Sequence, residues 1–143
     1  MQPPSVRVRA AATGDLMSIR ALSMTTPWEK SDFVKRAVDL GHVSVAVNQD
    51  IILGFIVWND EFFEKPFVWL IVVDSNHRRL GIGTKLFEYV EARHAGHRLY
   101  TSTNRSNYIM AAFLSGRGYA VVGEIDLDPG DPEIFYRQSR HVG

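Results

Sequence analysis

The chain predicts an α/β domain: a mixed, mostly antiparallel sheet of about seven strands, with about four helices on both faces. Three observations carry this. Strand-like and helix-period runs alternate between two loose ends, the first five residues and the Ser139–Gly143 tail. Their order is β-α-α-β-β-β-α-β-α-β-β, in which consecutive strands ask for hairpins and the two later helices ask for crossovers. Apolar residues at 45% and charged residues at 22% are ordinary globular composition, so one core over residues 1–143 is expected without cross-links.

Each element has its own signal. Ser5–Arg9 alternates, with Val6 and Val8 on one face. Thr13-Gly14-Asp15 is a helix start, Asp15 being able to cap amides. Leu16, Ile19 and Leu22 follow at helical spacing until Pro27. Trp28–Leu40 reads as a second helix, stopped by Gly41. His42–Asn48 and Ile51–Asn59 form a hairpin around Asn48-Gln49-Asp50. Phe67–Val73 is apolar on both faces and is expected to be central and buried. Gly81–Ala95 is a helix with Ile82, Leu86 and Val90 inward and Lys85, Glu88 and Glu91 outward. Arg98–Thr103 is a strand and Ser106–Arg117 a helix ended by Gly118. Tyr119–Ile125 and Glu133–Gln138 close the sheet.

Composition excludes several classes. Sixteen basic residues balance sixteen acidic ones, which argues against a general polyanion or nucleic-acid binder. Cysteine is absent, so there is no disulfide, thiolate nucleophile or zinc–thiolate site. No apolar run approaches the roughly 18 residues of a membrane span. Met1-Gln2-Pro3-Pro4 lacks the pattern of a signal peptide, so a cytoplasmic address is expected.

The chemistry is concentrated in Val72-Val73-Asp74-Ser75-Asn76-His77-Arg78-Arg79-Leu80-Gly81-Ile82-Gly83-Thr84. A helix start carries partial positive charge and prefers acidic neighbours. Here the first acid inside the helix is Glu88, and the preceding residues are cationic. The amides of Arg79 through Thr84, beside two guanidinium groups, form an anion site that Gly81 and Gly83 leave open. A P-loop is excluded because Gly-x4-Gly-Lys-[Ser/Thr] is missing. A dinucleotide fingerprint is excluded because Leu86 occupies the third glycine position.

Arg78-x-x-Gly81-x-Gly83 at a strand–loop–helix junction resembles the acyl-CoA motif of the GCN5-related N-acetyltransferase (GNAT) family. The later segment Asn107 to Tyr119, opening with Asn and closing with Gly-Tyr, resembles that family's next helix. The element order is similar from about Val6 to Gln138. The resemblance implies acetyl-CoA as co-substrate and no metal. Its pyrophosphate would rest on Arg78, Arg79, Leu80, Gly81, Ile82, Gly83 and Thr84. Its pantetheine arm would pair with Ile71, Val72 and Val73, with Asn107 as a further contact. A backbone amide of Val72 or Val73 would then face the thioester oxygen. The implied reaction is direct attack by a primary amine, from a small molecule or a peptide, and a homodimer is compatible with it.

Proton removal from that amine calls for a base, and Glu61, then Glu64, are the candidates before the central strand; a solvated acidic loop is the competing reading. The family often has a tyrosine acid seven residues after the Asn, where this chain has Leu114. A non-catalytic acyl-CoA binder is the alternative function. Glu91, His94 and His97 have metal-like spacing, but Gly96 breaks their shared face, and their place at a helix end suits the dipole. Trp58 and Trp69 are expected in the core, whereas Trp28, Phe62 and Phe63 are candidates for an acceptor pocket.

Overall fold

A computed structural model describes residues 5–23, 31–77 and 80–139. Trp28, Arg78 and Arg79 therefore lie outside the described residues. Among the described residues there are seven strands: β1 (Arg7–Ala10), β2 (Val43–Asn48), β3 (Ile51–Phe62), β4 (Lys65–Val73), β5 (Tyr100–Asn104), β6 (Tyr119–Ile125) and β7 (Glu133–Gln138). They form one sheet in the order β1-β2-β3-β4-β5-β7-β6. The β1–β2, β2–β3, β5–β7 and β7–β6 pairs are antiparallel, whereas β4 and β5 run parallel. Among the described residues there are four α-helices: α1 (Leu16–Ser23), α2 (Ser31–Asp39), α3 (Ile82–Arg93) and α4 (Tyr108–Gly116). No described helix is long and apolar enough to cross a membrane.

The chain forms two compact units, each from two segments: the residues up to Trp58 with Leu70–Val90, and Asn59–Trp69 with the residues from Glu91 onward. In the first unit β2 is buried on both of its faces along Val43–Val47. One face joins Val43, Val45, Val47, Phe55 and Val57 to Ile19 of α1 and Val34 and Val38 of α2. The entry to α1 is held by Asp15, whose carboxylate accepts from Arg9 at 2.7 and 3.0 Å and from the Ala12 amide at 2.8 Å. That pairing keeps the Asp15 carboxyl below its ordinary range, the Arg9 hydrogen bond being the largest cause. The β2–β3 turn places Gln49 and Asp50 both at positive φ, 49° and 68°, the backbone of a two-residue hairpin loop.

In the second unit Leu99, Thr101, Leu114, Tyr119, Tyr136 and Gln138 are buried. Thr101 Oγ1 donates to the Val68 carbonyl at 2.9 Å, fastening β5 to β4 where Val68 stands opposite Thr101. Three expectations need correction here. Glu91 does not point outward: it is 6% exposed, and its carboxylate accepts from Arg117 at 2.5 Å and from the Tyr119 hydroxyl at 2.7 Å. The charge is paired and doubly hydrogen-bonded, which is what allows burial. Burial, with the Glu91 carboxylate, pushes the Tyr119 hydroxyl well above the usual tyrosine range.

Trp69 is 44% exposed rather than core, although β4 is central in the sheet. Its ring packs on Phe67 at 4.4 Å, and its indole N–H donates to Asn59 Oδ1 at 2.7 Å, so its polar edge is satisfied at the surface. Lastly, β3 continues to Phe62, so Asp60 and Glu61 are strand residues and the expected acidic loop shrinks to Phe63 and Glu64. Both turn residues have positive φ, 52° and 63°.

Candidate functional site

The first unit holds the strand–loop–helix junction. Val72 is buried, and Ile71 and Val73 are half-buried. Immediately past the strand, the Asp74 amide donates to the Leu53 carbonyl at 2.8 Å, which ties the loop to β3. Ser75–His77 makes a single 3-10 turn. Its side-chain clasp is Asp74, whose carboxylate accepts from the Asn76 amide at 3.3 Å and meets His77 Nδ1 at 2.9 Å.

Gly81 has φ +73°, a conformation that favours glycine for backbone reasons alone. Its carbonyl takes the first helical bond, from the Lys85 amide at 3.1 Å. The amides of Ile82, Gly83 and Thr84 belong to the first turn, where no helical carbonyl precedes them. That turn contains no acidic residue. The side chain of Ile82 is fully buried, so its backbone amide is the group it has left to offer a ligand.

Gly54 of β3 brings these parts close together. A Cβ built there would lie 2.9 Å from the Val72 carbonyl oxygen, 3.1 Å from Ile82 Cγ2 and 3.4 Å from Leu86 Cδ1. Only glycine lets α3 settle this closely against β3 and the end of β4. An isolated glycine inside an apolar strand is the signal that marks such a close approach in sequence.

The second unit holds the other predicted residues. Asn107 caps α4: its Oδ1 accepts from the Met110 amide at 3.1 Å, and its Nδ2 donates to Thr103 Oγ1 at 3.1 Å. Asp131 supports the same turn, accepting from the Ser106 amide at 3.0 Å and the Ser106 hydroxyl at 2.7 Å. Those bonds hold the Asp131 carboxyl below the usual range. Leu114 is fully buried. Glu61 Oε2 accepts from Asn59 Nδ2 at 3.3 Å near the end of β3, and Glu64 occupies the turn before β4. His94 Nε2 lies 3.0 Å from Asp60 Oδ1, so its partner is a carboxylate.

The model of the acetyltransferase (GNAT) family matches residues 14–119. The chain belongs to the GNAT family. Among solved structures, it is similar to a GNAT-family acetyltransferase of Bacillus cereus, with 26% identity, 97% of this chain and 99% of that chain covered, and a TM-score of 0.87. It shares its fold with Ard1 of Thermoplasma volcanium, at 16% identity, 96% and 98% coverage and a TM-score of 0.83. It also shares it with Arabidopsis thaliana Naa50 in complex with a bisubstrate analogue, CoA-Ac-MVNAL, at 18% identity, 92% and 97% coverage and a TM-score of 0.76. No curated protein matches the chain.

For a GNAT protein, the junction of β4 and α3 is the part of greatest interest. The structure brings Val72, Ile82 and Gly54 together there, with Gly81 and Gly83 at the helix start. Arg78 and Arg79 fall outside the described residues. Asn107 is present at the opening of α4, as the family resemblance implies, and also carries a structural duty as its cap. Leu114 offers no ionisable proton and is part of the core. Gly54 and Asp131 belong to no sequence motif, and their roles come from the close approach of α3 and from the turn before α4.

Proposed function

We propose that the protein is an N-acetyltransferase that moves the acetyl group of acetyl-CoA to a primary amine by direct attack in a ternary complex. One observation carries the reading: a helix start with no acid in its first turn and a left-handed glycine before it follows the end of β4. Such a tip is suited to a diphosphate. The amides of Ile82, Gly83 and Thr84 would hold the pyrophosphate of acetyl-CoA, with Arg78 and Arg79 supplying positive charge. Ile71, Val72 and Val73 would pair with the pantetheine arm in the manner of an added strand. The amide of Val72 or Val73 then stabilises the thioester oxygen as charge develops on it.

An amine with a pKa of roughly 10 arrives as ammonium and must lose a proton first. The C–N bond then forms, the C–S bond breaks, and the thiolate of CoA takes up a proton. Proton removal falls first to Glu61, in the last, turn-ward stretch of β3, and second to Glu64 in the turn that follows. Leu114 gives the thiolate no proton, so water or the ammonium serves. Peptide and small-molecule amines are the acceptors proposed; the bisubstrate analogue in the Naa50 complex supports the peptide class.

Release of free thiol from acetyl-CoA, followed across a panel of peptide and small-molecule amines, tests this. Thiol that appears only with an added amine is the expected result. CoA binding without turnover on any amine favours the second reading, a non-catalytic acyl-CoA binder, for which Leu114 is the supporting observation. No heat on titration with CoA ends both.

A further inference from the structure

The second unit contains a recess of about 280 Å³ whose basic residues the acetyl-transfer reading does not use. Lys65, His97, Arg98, Tyr100 and Arg137 line it, with Glu64 as the single acid. The fold assembles this group. Tyr100 stands opposite Arg137 across β5 and β7, and opposite Phe67 across β4 and β5. Side chains alternate along a strand, so Lys65, two residues before Phe67, shares that face. The Gln138 amide donates to the Leu99 carbonyl at 2.9 Å, which extends the pairing toward Arg98.

Charge is concentrated here without compensation. Among the described residues, Lys65, His97, Arg98 and Arg137 form no ion pair, Glu64 included. Arg137 Nε is shut off from solvent with no hydrogen-bond partner. With histidine neutral, three positive groups and one negative leave a net charge of two, in a chain whose total is zero. Like charges held in one recess repel, and an anion of matching charge relieves that repulsion.

We propose that this recess binds the phosphoryl group of a small molecule. A phosphomonoester carries about −1.5 to −2 at pH 7 and three acceptor oxygens, matching the net charge. Two guanidinium groups can each fork onto it. A single carboxylate engages one fork and leaves the other cation unpaired. Its volume lies near the roughly 300 Å³ lower end of small-molecule sites, which suits a phosphate with a short organic group. This inference does not depend on the acetyl-transfer reading.

The test is a residue-resolved NMR titration of the full chain at fixed ionic strength, with inorganic phosphate in one arm and glycerol phosphate in the other. The expected result is saturable shifts of the Gly96, Tyr100 and Arg137 amides in at least one arm. Tighter binding of the ester assigns the recess to a phosphorylated metabolite; equal binding assigns it to the phosphoryl group alone. Arg137→Gln should weaken binding about tenfold or more. Should that variant not fold, Arg98→Gln gives the same reading. Shifts confined to Gly81 and Gly83, shifts reproduced by chloride, or affinity unchanged in the folded glutamine variant would overturn the proposal.

Discussion

The first turns of α3 and α4 solve the same problem in opposite ways. Every helix start exposes amides that need acceptors. At α4 the protein supplies them itself: Asn107 accepts from Met110, and Asp131 accepts from Ser106 just ahead of the helix. At α3 the first turn has no acid, and Gly81 adopts a left-handed conformation ahead of it. A self-satisfied start is a structural device, whereas a first turn without an acidic side chain suits an anionic ligand. The contrast separates two uses of one backbone geometry.

The strongest test of that contrast blocks the open tip. Gly83→Trp should lower CoA affinity about a hundredfold by calorimetry, the equivalent of losing one strong charge-assisted hydrogen bond. An unchanged affinity would place the ligand elsewhere. Next in size is Gly54→Ala. Its added Cβ meets the Val72 carbonyl oxygen at 2.9 Å, which forces β3, β4 and α3 apart. Destabilisation of about 1–3 kcal/mol in chemical denaturation is expected, together with weaker CoA binding. Here Gly54 acts as a positioning residue, so the two losses should appear together.

A third variant makes α3 resemble α4. Thr84→Glu puts an acid in the first turn and should raise stability by about 0.3–1 kcal/mol while weakening CoA. Stabilisation without any loss of CoA affinity would break the comparison. On the α4 side, Asn107→Ala should cost about 1 kcal/mol, and Asn107→Asp should keep the cap. If Asn107→Asp melts normally yet binds CoA less well, Asn107 also contacts the cofactor arm; if binding is unchanged, it is only a cap.

The smallest effect is a pH dependence. Bonds from Ser106 depress the Asp131 carboxyl in the folded state. Its contribution is therefore present above the unfolded carboxylate pKa of about 3.9 and lost as pH falls through the lower folded value. Thermal melts from neutral to strongly acidic pH should show wild type losing an increment that Asp131→Asn lacks.

Much of this was legible in the residues. The order of strands and helices follows from local periodicity and from glycine stops such as Gly41 and Gly118. The closing strands Tyr119–Ile125 and Glu133–Gln138 fall where the alternation puts them. What was not legible depends on partners distant in the chain. Glu91 looks like a surface residue until Arg117 and Tyr119, more than 20 residues later, surround it. Trp69 looks like core because its indole N–H finds Asn59 only in the folded hairpin. Glu61 and Glu64 were legible only as acids ahead of the central strand; that Glu61 belongs to β3 follows from the length of that strand. Gly54 carries a signal in its neighbours, but the atoms it accommodates belong to α3 and β4.

The two compact units interleave along the chain, since the first takes Leu70–Val90 and the second takes Asn59–Trp69. During synthesis the nascent N-terminal half must therefore wait. Its contacts cannot be complete until Val90 has left the ribosome, by which time a stretch belonging to the other unit has already emerged. A translational pause placed before that point should leave a protease-sensitive intermediate, and one placed after it should not.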